Sequence, residues 1–117
     1  MKASEICNVA NATVLSGEHM LDTEIKSAFA SDMMSDVLAF AEDQTILITG
    51  LVNPQTVRTA MMLDIKCILF VRGKKPDDSV VSLAEENGII VLATDLKMYS
   101  VCGKLYNAGR ASKEVCV

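Results

Sequence analysis

The chain has 117 residues, with 11 Lys and Arg against 15 Asp and Glu for a formal net charge of −4, and is 50% hydrophobic and 22% charged. That is the size of one domain able to bury roughly two-thirds of its unfolded surface, and the composition excludes disorder. The acidic balance argues against a nucleic-acid partner, no apolar run approaches the roughly 18 residues of a membrane span, and one His, two Tyr and no Trp leave little catalytic equipment.

The start, Met1-Lys2-Ala3-Ser4-Glu5, turns polar at once and lacks the apolar core of a secretory signal, so a cytoplasmic protein is expected. Ser4 is expected to cap a short helix with Ile6, Val9 and Ala10 inward. Ala12 to Leu15 reads as a brief strand, Ser16 to His19 as a turn, and Glu24 to Phe29 as a half-buried strand alternating Ile25, Ser27 and Phe29. Ser31-Asp32 opens a helix with Met33, Val37 and Phe40 on one stripe. Thr45 to Thr49 is a continuous apolar strand ending at Gly50, and Asn53-Pro54 starts a helix with Val57, Ala60 and Met61 inward. Cys67 to Val71 is the next buried strand, closed by Arg72-Gly73. Pro76-Asp77-Asp78 then opens a helix with Val80, Leu83 and Ala84 inward, which Asn87-Gly88 ends. Ile89 to Ala93 runs into Thr94-Asp95, and a last helix carries Met98, Val101, Cys102 and Leu105 inward up to Gly109.

Strands apolar on both faces, alternating with amphipathic helices, predict a three-layer α/β/α fold around a mostly parallel sheet, with a short helix and strand as lead-in. A single domain over residues 1–110 and a flexible tail over residues 111–117 are expected. In a parallel sheet the carboxyl ends of the strands share one edge, where ligands of open α/β folds bind. The polar residues delivered there are Asn53, Thr56, Arg72, Gly73, Thr94 and Asp95, and they form the candidate site. Free N–H groups at helix starts together with the Arg72 fork suit a phosphate or a carboxylate. The plainer reading of Asn53 and Asp95 is that each caps a helix, and that of Arg72-Gly73-Lys74-Lys75 is a solvated loop.

Other chemistries lack support. There is no G-x-x-x-x-G-K-[ST] loop and no G-x-G-x-x-G after a strand. His19 has no predicted carboxylate or serine partner. Asp32 and Asp36, four apart on a helix, suit either a hard cation or a solvated helix start. Cys7, Cys67, Cys102 and Cys116 show no metal-ligand spacing and read as reduced thiols, with Cys116 the one most open to an adventitious disulfide. The doublets Met33-Met34 and Met61-Met62 suggest packing between helices or against another subunit.

The ordered set Ser31 to Leu38, Ile46 to Gly50, Ile68 to Gly73 with Pro76, and Gly88 to Leu92 with Thr94-Asp95 resembles the DRTGG domain family, and most of all its small stand-alone members. The resemblance covers nearly the whole chain, from the lead-in to about Tyr106. It implies a fold similar to the N-terminal domain of HPr kinase/phosphorylase, and a regulatory or oligomerising module that also occurs beside phosphotransacetylases and CBS-bearing pyrophosphatases. At the helix start where the family often shows Asp-Arg, this chain has Asn53-Pro54. Where the family shows Thr-Gly-Gly, it has Val71-Arg72-Gly73, so that only Gly73 is shared. A kinase domain with its phosphate loop is absent from the sequence, and no kinase activity is expected. The combined expectation is a non-catalytic domain, homodimeric and without cofactor or metal, that binds a small anionic ligand or docks on a partner enzyme.

Overall fold

Alternation along the strands divides the interior in two. In a computed structural model, which describes residues 1–109, the chain runs α1 (Ala3–Val9), β1 (Thr13–Ser16), a 3₁₀ turn (Glu18–Met20), β2 (Ser27–Ala30), α2 (Met34–Phe40), β3 (Thr45–Thr49), α3 (Pro54–Met62), β4 (Cys67–Phe70), α4 (Asp78–Glu86), β5 (Ile90–Ala93) and α5 (Met98–Asn107). Five strands form one sheet in the order β1-β5-β4-β3-β2. The pairs β2/β3, β3/β4 and β4/β5 are parallel, and β1 closes the far side antiparallel to β5.

Successive side chains of a strand point to opposite faces, and here each face has its own helices. Ile46, Ile48, Cys67, Leu69, Val71, Ile90 and Leu92 pack with Ile6 of α1 and with Val101 and Leu105 of α5. Leu47, Ile68, Phe70 and Val91 pack with Val37 of α2, Val57 and Ala60 of α3, and Val80 and Ala84 of α4. The predicted three-layer α/β/α architecture is therefore what the chain adopts, with two helices on one face and three on the other.

Several local expectations change. The first helix begins one residue before Ser4, with Lys2 as its N-cap, and the Glu5 carboxylate accepts the Lys2 N–H at 2.9 Å. The edge strand is shorter than Glu24 to Phe29, with Glu24 reduced to an isolated bridge to Lys2. In α2 the inward pair is Met34 and Val37, while Met33 and Phe40 are exposed. The reason is that Ser31 forms a tight turn, its hydroxyl accepting the Met33 N–H at 3.0 Å, which delays the helix and rotates its apolar face. In α3, Met61 turns outward, and Thr56 and Thr59 take buried places beside Val57 and Ala60.

Among the described residues no three His, Cys, Asp or Glu side chains converge as a metal site, and no helix is long and apolar enough to cross a membrane. Burial pushes the Cys7 and Cys102 thiols up, and burial together with nearby Cys7 does the same to Cys67, which keeps these thiols protonated. The expectations for Cys116 and for the tail over residues 111–117 lie outside the described residues.

Candidate functional site

The loops after β3 and β4 lead to α3 and α4 on one face of the sheet, whereas the loop after β5 leads to α5 on the other. Connections that diverge in this way leave a crevice between neighbouring strand ends. Here the crevice lies between β4 and β5, and antiparallel β1 starts beside it, with Thr13 opposite Ala93. A pocket of about 140 Å³ occupies this place, lined by Asn11, Thr13, Leu15, Gly73, Lys74, Lys75, Ala93, Thr94 and Asp95.

Main-chain bonds hold its two walls together. Arg72 N–H donates to Leu96 O at 2.8 Å and Gly73 N–H to Thr94 O at 3.0 Å, with both residues at positive φ, 64° and 71°. The Thr94 hydroxyl is buried; it donates to Ala10 O at 2.7 Å and accepts the Leu96 N–H at 3.2 Å, so it fastens the loop after β5 to the end of α1. At the helix starts, where free N–H groups are expected for an anion, Asn53 Oδ1 accepts the Gln55 N–H and Asp77 Oδ1 accepts those of Ser79 and Val80. What the pocket offers instead is side chains. Lys74, Lys75 and Asp95 are exposed, and among the described residues none of them is in an ion pair.

Of the six residues singled out in the sequence, Gly73, Thr94 and Asp95 line this pocket. Asp95 does not cap α5, whose N-cap is Lys97. Asn53 and Thr56 stand one loop away, where both serve the start of α3: Asn53 Oδ1 accepts the Gln55 N–H at 3.0 Å, and the Thr56 hydroxyl donates to Leu51 O at 2.6 Å.

Arg72 turns the opposite way from the pocket. Its guanidinium lies across Gly50, where any Cβ would overlap it, and reaches Asp32 Oδ2 at 3.2 Å. Asp32 Oδ1 accepts the Gly50 N–H at 2.7 Å and the Thr49 hydroxyl at 3.0 Å. Asp32 is thus not a helix cap, the N-cap of α2 being Met33. It is a clasp joining the loops after β2, β3 and β4. No local pattern announces the clasp, because the partners are 17, 18 and 40 residues away.

A larger hollow, about 430 Å³, lies at the amino ends of the strands, lined by residues that include Glu24, Asp43, Asp64 and Lys66. Lys66 is paired with Asp64 at 2.9 Å, so the charged side chains of this lining are three carboxylates and one already paired ammonium group. The two ends of the sheet therefore differ in charge as well as in shape.

Residues 5–108 match the DRTGG domain. The chain belongs to the DRTGG domain family. A similar solved structure is that of the CBS and DRTGG domains of the regulatory region of Clostridium perfringens pyrophosphatase, complexed with its activator diadenosine tetraphosphate. It is 17% identical with a TM-score of 0.74 over 89% of this chain and 45% of that one, which shows a common fold. No curated protein matches the chain.

Within this DRTGG domain the Asp32 clasp predicts a pH dependence. The Gly50 N–H foremost, then the Thr49 hydroxyl and Arg72, hold the Asp32 carboxyl below the usual carboxylate range, against an opposing effect of partial burial. A carboxyl lowered in the folded state adds stability above its unfolded pKa of about 3.9 and loses it as pH falls through the folded value. Asp77 is lowered in the same sense, by the Ser79 hydroxyl first and the Val80 N–H next. Urea midpoints are expected to fall from about pH 5 to about pH 3, and to fall less steeply in Asp32→Asn. Asp77 retains part of the slope in that variant. Equal slopes in the two proteins would show that Asp32 is not held in this way.

Proposed function

We propose that this DRTGG domain is a cytoplasmic, non-catalytic regulatory module that senses a small anionic ligand, phosphorylated or carboxylate, in the pocket between the ends of β4 and β5. The observation that carries the reading is the pair Lys74 and Lys75, two ammonium groups without ion-pair partners among the described residues, at the mouth of a crevice with pre-tied walls. Like-sign neighbours without counter-ions favour an anion between them. The place of a DRTGG domain in the regulatory region of an activated pyrophosphatase supports a regulatory role. So does the resemblance to the N-terminal domain of HPr kinase/phosphorylase, whose kinase activity the reading leaves out. Among the described residues no hydroxyl or ammonium group of the pocket lining is bonded to a side-chain base, which favours sensing over catalysis.

The reading keeps Gly73, Thr94 and Asp95 as pocket residues, and gives Arg72, Asn53 and Thr56 the task of holding the neighbouring loops. A thermal-shift series with inorganic phosphate, phosphorylated metabolites and carboxylates should find a stabilising anion. In Lys74→Ala/Lys75→Ala the stabilisation is expected to vanish, whereas Arg72→Ala, although less stable, is expected to retain most of it. Undiminished stabilisation in the double-lysine variant would place the ligand elsewhere.

A second reading rests on a separate observation. Met33, Leu38 and Phe40 of the α2 region and Met61 and Met62 of α3 are exposed, Met62 to 72%. An apolar surface of this kind favours docking, either as a homodimer or on a partner enzyme. Under this reading Met62→Glu would abolish self-association in light scattering, or recovery of the partner enzyme, with no effect from any anion.

A further inference from the structure

We infer that the pocket takes a phosphomonoester whose carbon skeleton carries hydroxyl donors, a sugar phosphate or the sugar-phosphate part of a nucleotide, in preference to a bare anion. This rests on the anion site proposed above and adds the other half of the ligand.

The residue that demands it is Asp95. Its carboxylate belongs to the lining of the same pocket as Lys74 and Lys75, yet it pairs with neither and has no hydrogen-bond partner among the described residues. Nor is it remote: a Cβ placed on Gly73 would stand 3.4 Å from Asp95 Oδ1, so the carboxylate faces the turn that leads into the two lysines. An ionised carboxylate only accepts hydrogen bonds, and beside a bound phosphate it repels. A bare anion therefore meets attraction from two ammonium groups and opposition from one carboxylate. A ligand that puts its phosphate toward the lysines and hydroxyl groups toward Asp95 turns that opposition into charge-assisted hydrogen bonds.

The rest of the lining fits the same molecule. Thr13 and Asn11, both exposed, add side chains that donate and accept, while Leu15 and Ala93 give an apolar patch for carbon. At about 140 Å³ the pocket is smaller than sites that enclose a drug-sized ligand, roughly 300–1,000 Å³. It therefore holds a phosphate and the adjoining hydroxylated carbons, with any larger remainder in solvent. Because Thr94 and the Arg72 and Gly73 N–H groups are already bonded within the protein, the selecting groups are Lys74, Lys75 and Asp95.

The experiment is calorimetric titration of the full chain with three probes, inorganic phosphate, ribose and ribose 5-phosphate, in the wild type and in Asp95→Asn. Circular dichroism confirms the fold of the exposed-site variant. The wild type is expected to bind ribose 5-phosphate about tenfold more tightly than inorganic phosphate, the scale of one hydrogen bond to a charged group. In Asp95→Asn, phosphate is expected to bind more tightly and ribose 5-phosphate more weakly, so that the ratio collapses. Equal affinities in the wild type, or a ratio unchanged in Asp95→Asn, would overturn the sugar-phosphate inference while leaving the anion site standing. No heat with either phosphate would overturn both.

Discussion

Phe70→Ala is expected to lower the unfolding free energy by about 3–5 kcal/mol, the largest single loss foreseen for this domain. Phe70 is fully buried on the face that carries α2, α3 and α4, among Val57, Ala60, Val80 and Ala84. Its removal takes away the largest fully buried side chain of that layer, and α3 and α4 are tied by their own caps and cannot collapse freely into the void. A domain of this size has only about 5–15 kcal/mol in total, so the variant should sit near the edge of folding. The consequence reaches the crevice, since Phe70 is followed by Val71, by Arg72, which makes the clasp to Asp32, and by Gly73, which lines the pocket. Urea denaturation should show a lower midpoint with an unchanged m-value, and Phe70→Leu should recover much of the loss. A Phe70→Ala protein within about 1 kcal/mol of the wild type would contradict this packing.

Gly17→Ala is expected to cost about 2–4 kcal/mol, from two causes that add. Gly17 has φ +79°, which any L side chain resists, and its missing Cβ would lie 2.9 Å from both Cα and Cγ1 of Ile90. The first of these atoms is main chain of β5, so relief requires β1 and β5 to move apart. That movement would also open the pocket, since Thr13 and Leu15 of β1 form its wall opposite Gly73 and Lys74. Two other glycines separate the contributions. Gly88 has φ +67° with open space around it, so Gly88→Ala should cost only the backbone part, about 1–2 kcal/mol. Gly103 lies in α5 with open space and no positive φ, so Gly103→Ala should add about 0.4–1 kcal/mol. The order Gly17, Gly88, Gly103 in urea midpoints is the check, and a Gly17→Ala loss no larger than that of Gly88→Ala would contradict the close approach to Ile90.

The parts of the fold legible in the sequence were those written in local pattern. Thr45 to Thr49, Cys67 to Val71 and Ile89 to Ala93 are apolar at every position or nearly so, as only a strand covered on both faces is, and Asn53-Pro54 and Pro76-Asp77 mark helix starts by their chemistry. Strand order was not written there. It decides that α4 and α5 leave adjacent strands toward opposite faces, and hence that the crevice lies beside Gly73 and Thr94 instead of around Asn53 and Thr56. For the same reason nothing in the sequence brings Asn11 and Thr13 to this pocket: their distance from Asp95 in sequence is closed only by the antiparallel pairing of β1 with β5.

Charge misled in a different way. Lys74 and Lys75 read as an ordinary solvated loop, and Arg72, with its forked side chain after a buried strand, read as the anion ligand. Arg72 is in fact turned across Gly50 toward Asp32, which leaves the pocket to the two lysines. A Ser-Asp pair before a helix reads as a cap by default, and nothing near Asp32 in sequence says that Thr49, Gly50 and Arg72 will converge on it. The exposed methionines were half legible. The doublets suggest a packing role, but the turn at Ser31 fixes which methionine of the first doublet faces inward, and both methionines of the second are exposed.

Whether the crevice between β4 and β5 takes the ligand is read from a titration of ¹⁵N-labelled protein with ribose 5-phosphate, followed by backbone amide shifts. Saturable shifts are expected at Asn11 to Leu15, Gly73 to Lys75 and Thr94 to Asp95, and are expected to be lost in Lys74→Ala/Lys75→Ala. Saturable shifts at the amino-end hollow around Asp43 and Asp64 or along the Met61-Met62 surface, with the crevice amides unmoved, would contradict this placement.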